Sequence, residues 1–273
     1  MSIRQIVSVA LLVCVACGGS SAAFGDEPAQ NAPVAAAAST AAGQDAPAEK
    51  APAEEAPAKP KAAVTGTVKF EGEIPAPERV DLSPDPVCKE HHGDAGMSSP
   101  STVKRGEGGG LADVFVQLTT GVPDEKYEAP KEPVVLDQQG CTYVPHVFGL
   151  MKKQTIKILN SDATLHNIHA MPRSNKEFNL AMPNKGDVRE QEFKKAEEAL
   201  KIKCDVHPWM LAYAFVMEHP YFGVTDAKGK FSIPSDLADG EYGIKLWHET
   251  LGEATGTLTV KDGAGTFEHT YKK

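Results

Sequence analysis

From residue 64 onward, apolar and polar residues alternate in short runs separated by turn residues. Val64-Thr65-Gly66-Thr67-Val68-Lys69-Phe70, Ala112-Asp113-Val114-Phe115-Val116-Gln117-Leu118 and Gln154-Thr155-Ile156-Lys157-Ile158-Leu159 all read this way. A period of two puts every second side chain on one face, as in a strand with one buried side. Lys230–Ile233, Tyr242–Trp247 and Gly256–Val260 continue the pattern. Strands this short with frequent turns predict an all-β protein built as a sandwich. Glu190–Leu200 is the one helix-like window, and its poor pattern fits a loop insertion equally well. Glu107-Gly108-Gly109-Gly110 predicts a flexible turn rather than a phosphate loop, because no Lys-Ser/Thr follows it. Thr225–Phe231 predicts a hairpin, and Asp239-Gly240-Glu241-Tyr242 a turn entering a strand.

The first 63 residues lack this pattern. Residues 1–17 carry one early cation, Arg4, and an apolar run from Ile6 to Ala16. The run is too short to span a membrane and fits an export signal. It ends in Val15-Ala16-Cys17-Gly18, which resembles a bacterial lipoprotein cleavage site with Cys17 as the lipidated residue. Cys14 stands where that site usually has leucine, and Ser21-Ala22-Ala23 offers ordinary cleavage as the competitor. Either route exports the protein to the periplasm or cell envelope, and the first tethers it to a membrane. Residues 18–63 are mostly Ala, Pro, Glu and Lys and cannot bury enough apolar surface to fold, so they predict a flexible linker.

The remainder, residues 64–273 of a 273-residue chain, can build a core without staples. A net charge of −9 with no basic cluster argues against nucleic acid as a partner. Of five cysteines, Cys14 and Cys17 belong to the signal region. Cys204 belongs to a candidate metal loop. Export favours a disulfide between the remaining two, Cys88 and Cys141. The alternatives are two free thiols, or a second metal site in which His91 and His92 join Cys88.

That loop reads Cys204-Asp205-Val206-His207-Pro208-Trp209-Met210. It sets a thiolate, an imidazole and a thioether three residues apart, and Pro208 restrains the backbone between the last two. Upstream, Leu165-His166-Asn167-Ile168-His169 supplies a further imidazole. His166 and His169 are three apart, so a regular strand points them to opposite faces and only one can join the site. Two histidines, one cysteine and a weak axial methionine are the ligands of a blue-copper electron-transfer site. Zinc bound by one Cys, two His and water is the rival, but methionine is a poor zinc ligand. A binuclear copper centre needs a second thiolate, which the loop lacks. A Cys–His nucleophile needs an oxyanion stabiliser and an orienting third residue, and neither is evident, so no enzyme is expected. His146, His169 and Trp247-His248-Glu249 read as structural.

His-Asn-x-His on one strand and Cys-x-x-His-Pro-aromatic-Met on a later loop resemble the amicyanin-like blue-copper cupredoxins, over roughly residues 154–210. The resemblance implies a Greek-key β-sandwich and one type 1 copper, with His166, Cys204, His207 and Met210 as ligands. It also implies that the ring edge of His207 lies near the surface as the electron port. Residues 64–140 have no counterpart in that family. Thr225-Asp226-x-x-Gly229-x-Phe231 and Gly240-x-Tyr242 resemble the carboxypeptidase regulatory-like (transthyretin-like) β-sandwich, and Thr65–Gly72 resembles that module's first strand. The chain thus divides into a cupredoxin-like copper domain over 64–218 and a regulatory-like segment over 219–273, with the copper region inserted in or packed onto that module. Function is expected to be electron transfer to a cytochrome or dehydrogenase docking on Val206, Trp209 and Leu211. A copper carrier, or a cell-surface module binding polysaccharide or protein around a structural metal, are the alternatives.

Overall fold

The computed structural model describes residues 63–234 and 236–273. The signal segment, Cys17 and the linker up to residue 62 lie outside the described residues. Among the described residues no helix is long and apolar enough to cross a membrane.

The protein is all-β, as the alternation predicts. In chain order the elements begin with β1 (Ala63–Glu71), β2 (Arg79–Val80), α1 (Pro86–His92), β3 (Met97–Ser98), β4 (Phe115–Thr120), β5 (Val134–Gln139), β6 (Thr142–Val144) and β7 (Val147–Met151). They continue through β8 (Thr155–Asn160), β9 (His166–Met171), β10 (Phe178–Met182), β11 (Val188–Glu192), β12 (Glu197–Lys203) and β13 (Leu211–Met217). The chain closes with β14 (Phe222–Val224), β15 (Lys230–Pro234), β16 (Gly240–His248), β17 (Gly252–Lys261) and β18 (Ala264–Lys272).

Two sheets, ordered β10-β9-β12-β13-β7 and β11-β8-β5-β6, share one core. Leu136, Ile156 and Ile158 from one sheet meet Ile168, Ile202, Ala212 and Ala214 from the other, all buried. Cys204 and Met210 belong to this core, so the candidate metal loop is continuous with the packed interior. The helix-like window is strand instead: residues 188–192 pair with β8, and residues 197–203 pair with β9 and β13. Tertiary pairing overrides helix propensity here, and a register shift between Glu197 and Leu200 blurs the period that marks a strand.

A seven-stranded sheet runs β14-β4-β16-β17-β18-β1-β15 around a second core that includes Val64, Val116, Ile233 and Leu246. It takes β1 and β4 from early in the chain together with the C-terminal strands, so the sheets do not divide at residue 218. The expected hairpin also differs. Asp226 makes the turn, its carboxylate accepting from the Lys228 and Lys230 amides, but β14 pairs with β4 and β15 with β1. The turn therefore joins the two edges of one sheet, which touch each other as the sheet curls. Strand β4 is buried on both sides because Phe115 stacks on Phe215 of β13, ring centroids 3.9 Å apart.

Residues 81–98 form a cap without a predicted counterpart. Asp85 N-caps α1, accepting from the amides of Val87 at 2.8 Å and Cys88 at 3.0 Å, with Pro86 in the first turn. Leu82, Cys88 and Met97 pack with Cys141 and Trp209 in a small separate core.

Candidate metal centre

The ligand loop follows β12 and precedes β13, so two paired strands hold its ends. Within it, the Cys204 amide donates to the Met210 carbonyl at 3.2 Å, and the Met210 amide to the His207 carbonyl at 2.9 Å. The His207 amide donates to the Cys204 sulfur at 3.3 Å. These contacts fold the loop into a tight ring that brings the Cys204 and His207 donor atoms together and packs Met210 into the adjoining core. Cys204, His207 and Met210 are all at most 2 % exposed.

His166 enters from β9, which pairs with β12 in register Lys203 to His169. It is fully buried, and its donor atom lies within 4.8 Å of those of Cys204 and His207. His169 points away from the site and pairs with Asp205 and Glu177, as strand alternation requires. His146 bonds the Leu211 carbonyl and Glu249, and His248 is buried with its ring nitrogen accepting from the Thr250 and Leu251 amides.

Both histidines of the site have their outer nitrogen on a carboxylate. His166 Nε2 lies 3.0 Å from Asp162, and His207 Nε2 lies 3.0 Å from Asp85. With Nε2–H donated outward, the Nδ1 lone pairs of both rings turn inward. They face each other at 2.9 Å, and His207 Nδ1 lies 3.8 Å from the Cys204 sulfur. Two lone pairs and a sulfur converging on one point require a proton or a cation between them. A first-row ion at about 2.0–2.1 Å from nitrogen and about 2.3 Å from sulfur spans these gaps with bond angles of about 90–120°. The site therefore fits a metal ion.

Electrostatics point the same way. Burial pushes the Cys204 thiol up, but hydrogen bonds with His166, His207 and nearby amides outweigh it and bring it down to about 6. Burial works against a charged His166, yet Asp162 and Cys204 raise it to about 9. Without metal, the pair tends toward thiolate and imidazolium; a bound cation takes that proton's place. Burial raises the Asp85 carboxyl, but the Cys88 amide, Thr164 and His207 hold it down at about 2. Asp162 is lowered too, its burial outweighed by His166 and the Cys141 and Gly140 amides. Asn167 completes the surroundings, its side-chain oxygen 3.2 Å from the Cys204 sulfur and 2.7 Å from the Asp205 amide.

Cys88 and Cys141 are joined by a disulfide across 53 residues. Cys88 is therefore no ligand of a second metal site, and His92 bonds the Gly140 carbonyl instead. The expectation of a surface-exposed His207 edge is overturned. The ring is 2 % exposed, covered by Asp85, by the Cys88 sulfur at 3.9 Å, and by Trp209 with ring centroids 5.0 Å apart. Trp209 is itself half-buried and tied to the Cys141 carbonyl at 3.0 Å. The cap that covers the ring comes from the stretch the cupredoxin resemblance left unassigned.

Asp85, Asp162 and Thr164 escaped sequence reasoning. Asp162 stands four residues before His166, a spacing that brings a carboxylate back to its histidine. Asp85-Pro86 is the signature of a helix start, but nothing local says which ring that helix end will cover.

No protein-family model matches the chain, and no curated protein does. Among solved structures, a single-substitution variant of amicyanin in its Cu(I) form is 20% identical, covering 37% of this chain and 98% of that one at a TM-score of 0.29. A purple cupredoxin from Nitrosopumilus maritimus is 23% identical over 31% of this chain and 99% of its own, at 0.27. The copper-containing nitrite reductase of Thermus scotoductus SA-01 is 18% identical, at 0.30. The match covers 38% of this chain and spans only a quarter, 25%, of that enzyme's length. These structure neighbours are cupredoxins.

Proposed function

We propose that this is an exported electron-transfer protein binding one copper ion through His166, Cys204, His207 and Met210, with no substrate transformed. The observation that carries the reading is the inward convergence of two carboxylate-backed imidazoles on a buried thiol. Thiolate and thioether suit Cu(I) and imidazole suits both oxidation states, so copper bound by this set supplies one-electron cycling with little rearrangement. Cys204 contributes the anionic sulfur, already inclined to ionise. His166 and His207 contribute Nδ1, their tautomers held by Asp162 and Asp85. Asn167 and the His207 amide fix the sulfur, and the packed core around Met210 excludes water. A redox protein such as a cytochrome or dehydrogenase is the partner proposed, with export and a lipid tether at Cys17 keeping the exchange outside the cytoplasm.

A second reading, copper carriage, is favoured by the closed edge of His207, since a ligand ring sealed beneath a cap suits holding copper. Adding Cu(II) to the metal-free protein and recording the visible spectrum tests the site, with an intense copper–thiolate band expected. Reversible reduction and reoxidation by a cytochrome separates electron transfer from carriage. A colourless complex would overturn the blue-copper assignment.

A further inference from the structure

The two ligand histidines receive their carboxylates by different routes. Asp162 lies on the short loop that leads into β9, four residues before His166. Asp85 reaches His207 from 122 residues away, carried on the cap. All of Asp85's hydrogen bonds fix it there. One oxygen accepts from the Val87 and Cys88 amides; the other accepts from Thr164 Oγ1 at 2.8 Å and meets His207 Nε2 at 3.0 Å. The Cys88–Cys141 disulfide pins that helix to the turn after β5. There the Cys141 amide donates to Asp162 at 2.8 Å. The half-cystines thus hold, through their own amides, the carboxylates behind both ligand rings.

We propose that Asp85 is a positioning residue for the copper site, acting through His207 to favour Cu(II) over Cu(I). This rests on the copper reading above. Its carboxylate keeps the proton of His207 on Nε2, leaving Nδ1 free to bind the ion, and orients the ring. A carboxylate hydrogen-bonded to a ligating imidazole raises that ligand's basicity. A fixed negative charge, only 14 % exposed, also favours the higher-charged oxidation state, because burial limits its screening. Both effects lower the reduction potential. The cap is then part of the metal centre's tuning as well as its cover.

Two variants test this. Asp85→Asn keeps the shape and removes the charge. Asp85→Ser keeps a good helix N-cap but is too short to reach His207. In both, Cu(II) affinity is expected to fall about 10–100-fold, the usual cost of losing such a partner, with Cu(I) affinity changing less. Each tenfold difference between the two raises the potential by about 59 mV, read by spectroelectrochemistry. In the metal-free protein, nitrogen NMR should show His207 protonated on Nε2, with this preference lost in Asp85→Ser. Thermal unfolding of the metal-free variants identifies which keep the fold; should Asp85→Ser unfold, Asp85→Asn decides. A folded variant with unchanged Cu(II) affinity and potential would overturn the proposal. Absence of a copper–thiolate band in the wild type would count against the copper reading instead, and the NMR tautomer would still decide the role of Asp85.

Discussion

The ring nitrogens of His166 and His207 face each other at 2.9 Å although the residues are 41 positions apart. One comes from a strand and the other from a loop, and the Cys204 sulfur lies beside them. Since Cys204 is the only free cysteine among the described residues, Cys204→Ser should remove the intense visible band on Cu(II) addition. The β fold should remain by circular dichroism. A strong charge-transfer band surviving in that variant would refute the thiolate assignment.

His166 and His169 lie on the same strand, yet only the first reaches the site. His166→Ala should lose copper or admit water, because it deletes one of three strong ligands. His169→Ala should keep the wild-type spectrum. It breaks exposed pairs with Glu177 and Asp205, which are worth at most about 1 kcal/mol. Parallel Cu(II) titrations settle the matter, and copper loss confined to His169→Ala would mean that the other face of β9 carries the ligand.

The disulfide closes a loop of 53 residues. Chain entropy alone gives about 4 kcal/mol for a loop of this length. The paired Cys88→Ala, Cys141→Ala variant should therefore lose roughly that much stability in urea unfolding, and the cap should loosen first. Hydrogen exchange at the Cys88 and Lys89 amides would show it. Undiminished protection there would mean that the Asp85 bonds and the small apolar core hold the cap alone.

His248 makes the stability of the metal-free protein sensitive to acid. Burial lowers its pKa to about 4, so the folded protein keeps the ring neutral where the unfolded chain protonates it near pH 6.5. The unfolded state then binds the extra proton, and stability is lost as pH falls from about 6.5 to about 4. The size is on the order of 3 kcal/mol. His248→Asn keeps an acceptor for the Thr250 and Leu251 amides but does not titrate in that range. The wild-type stability relative to this variant should decline across the window, and a constant difference would show that His248 does not drive it.

Much of this protein was legible in its sequence because the relevant spacings are local. Alternation in residues 64–70, 154–159 and 242–247 marks strands, since the side-chain period follows from backbone geometry alone. Cys204, His207 and Met210 are close enough along the chain for one tight loop to gather them, and strand alternation separates His166 from His169. The window 190–200 misled because a register shift hides the strand period and pairing with neighbouring strands outweighs local propensity. Residues 225–231 do turn, but whether a turn joins paired strands or two edges of a curled sheet depends on which partners each strand finds. Tertiary structure alone decided that β4 joins the C-terminal sheet, between β14 and β16. It alone set Asp85 against His207 and buried the ring expected at the surface. These are contacts between segments a hundred or more residues apart, chosen by the packing free energy of the whole chain, and no local pattern encodes them.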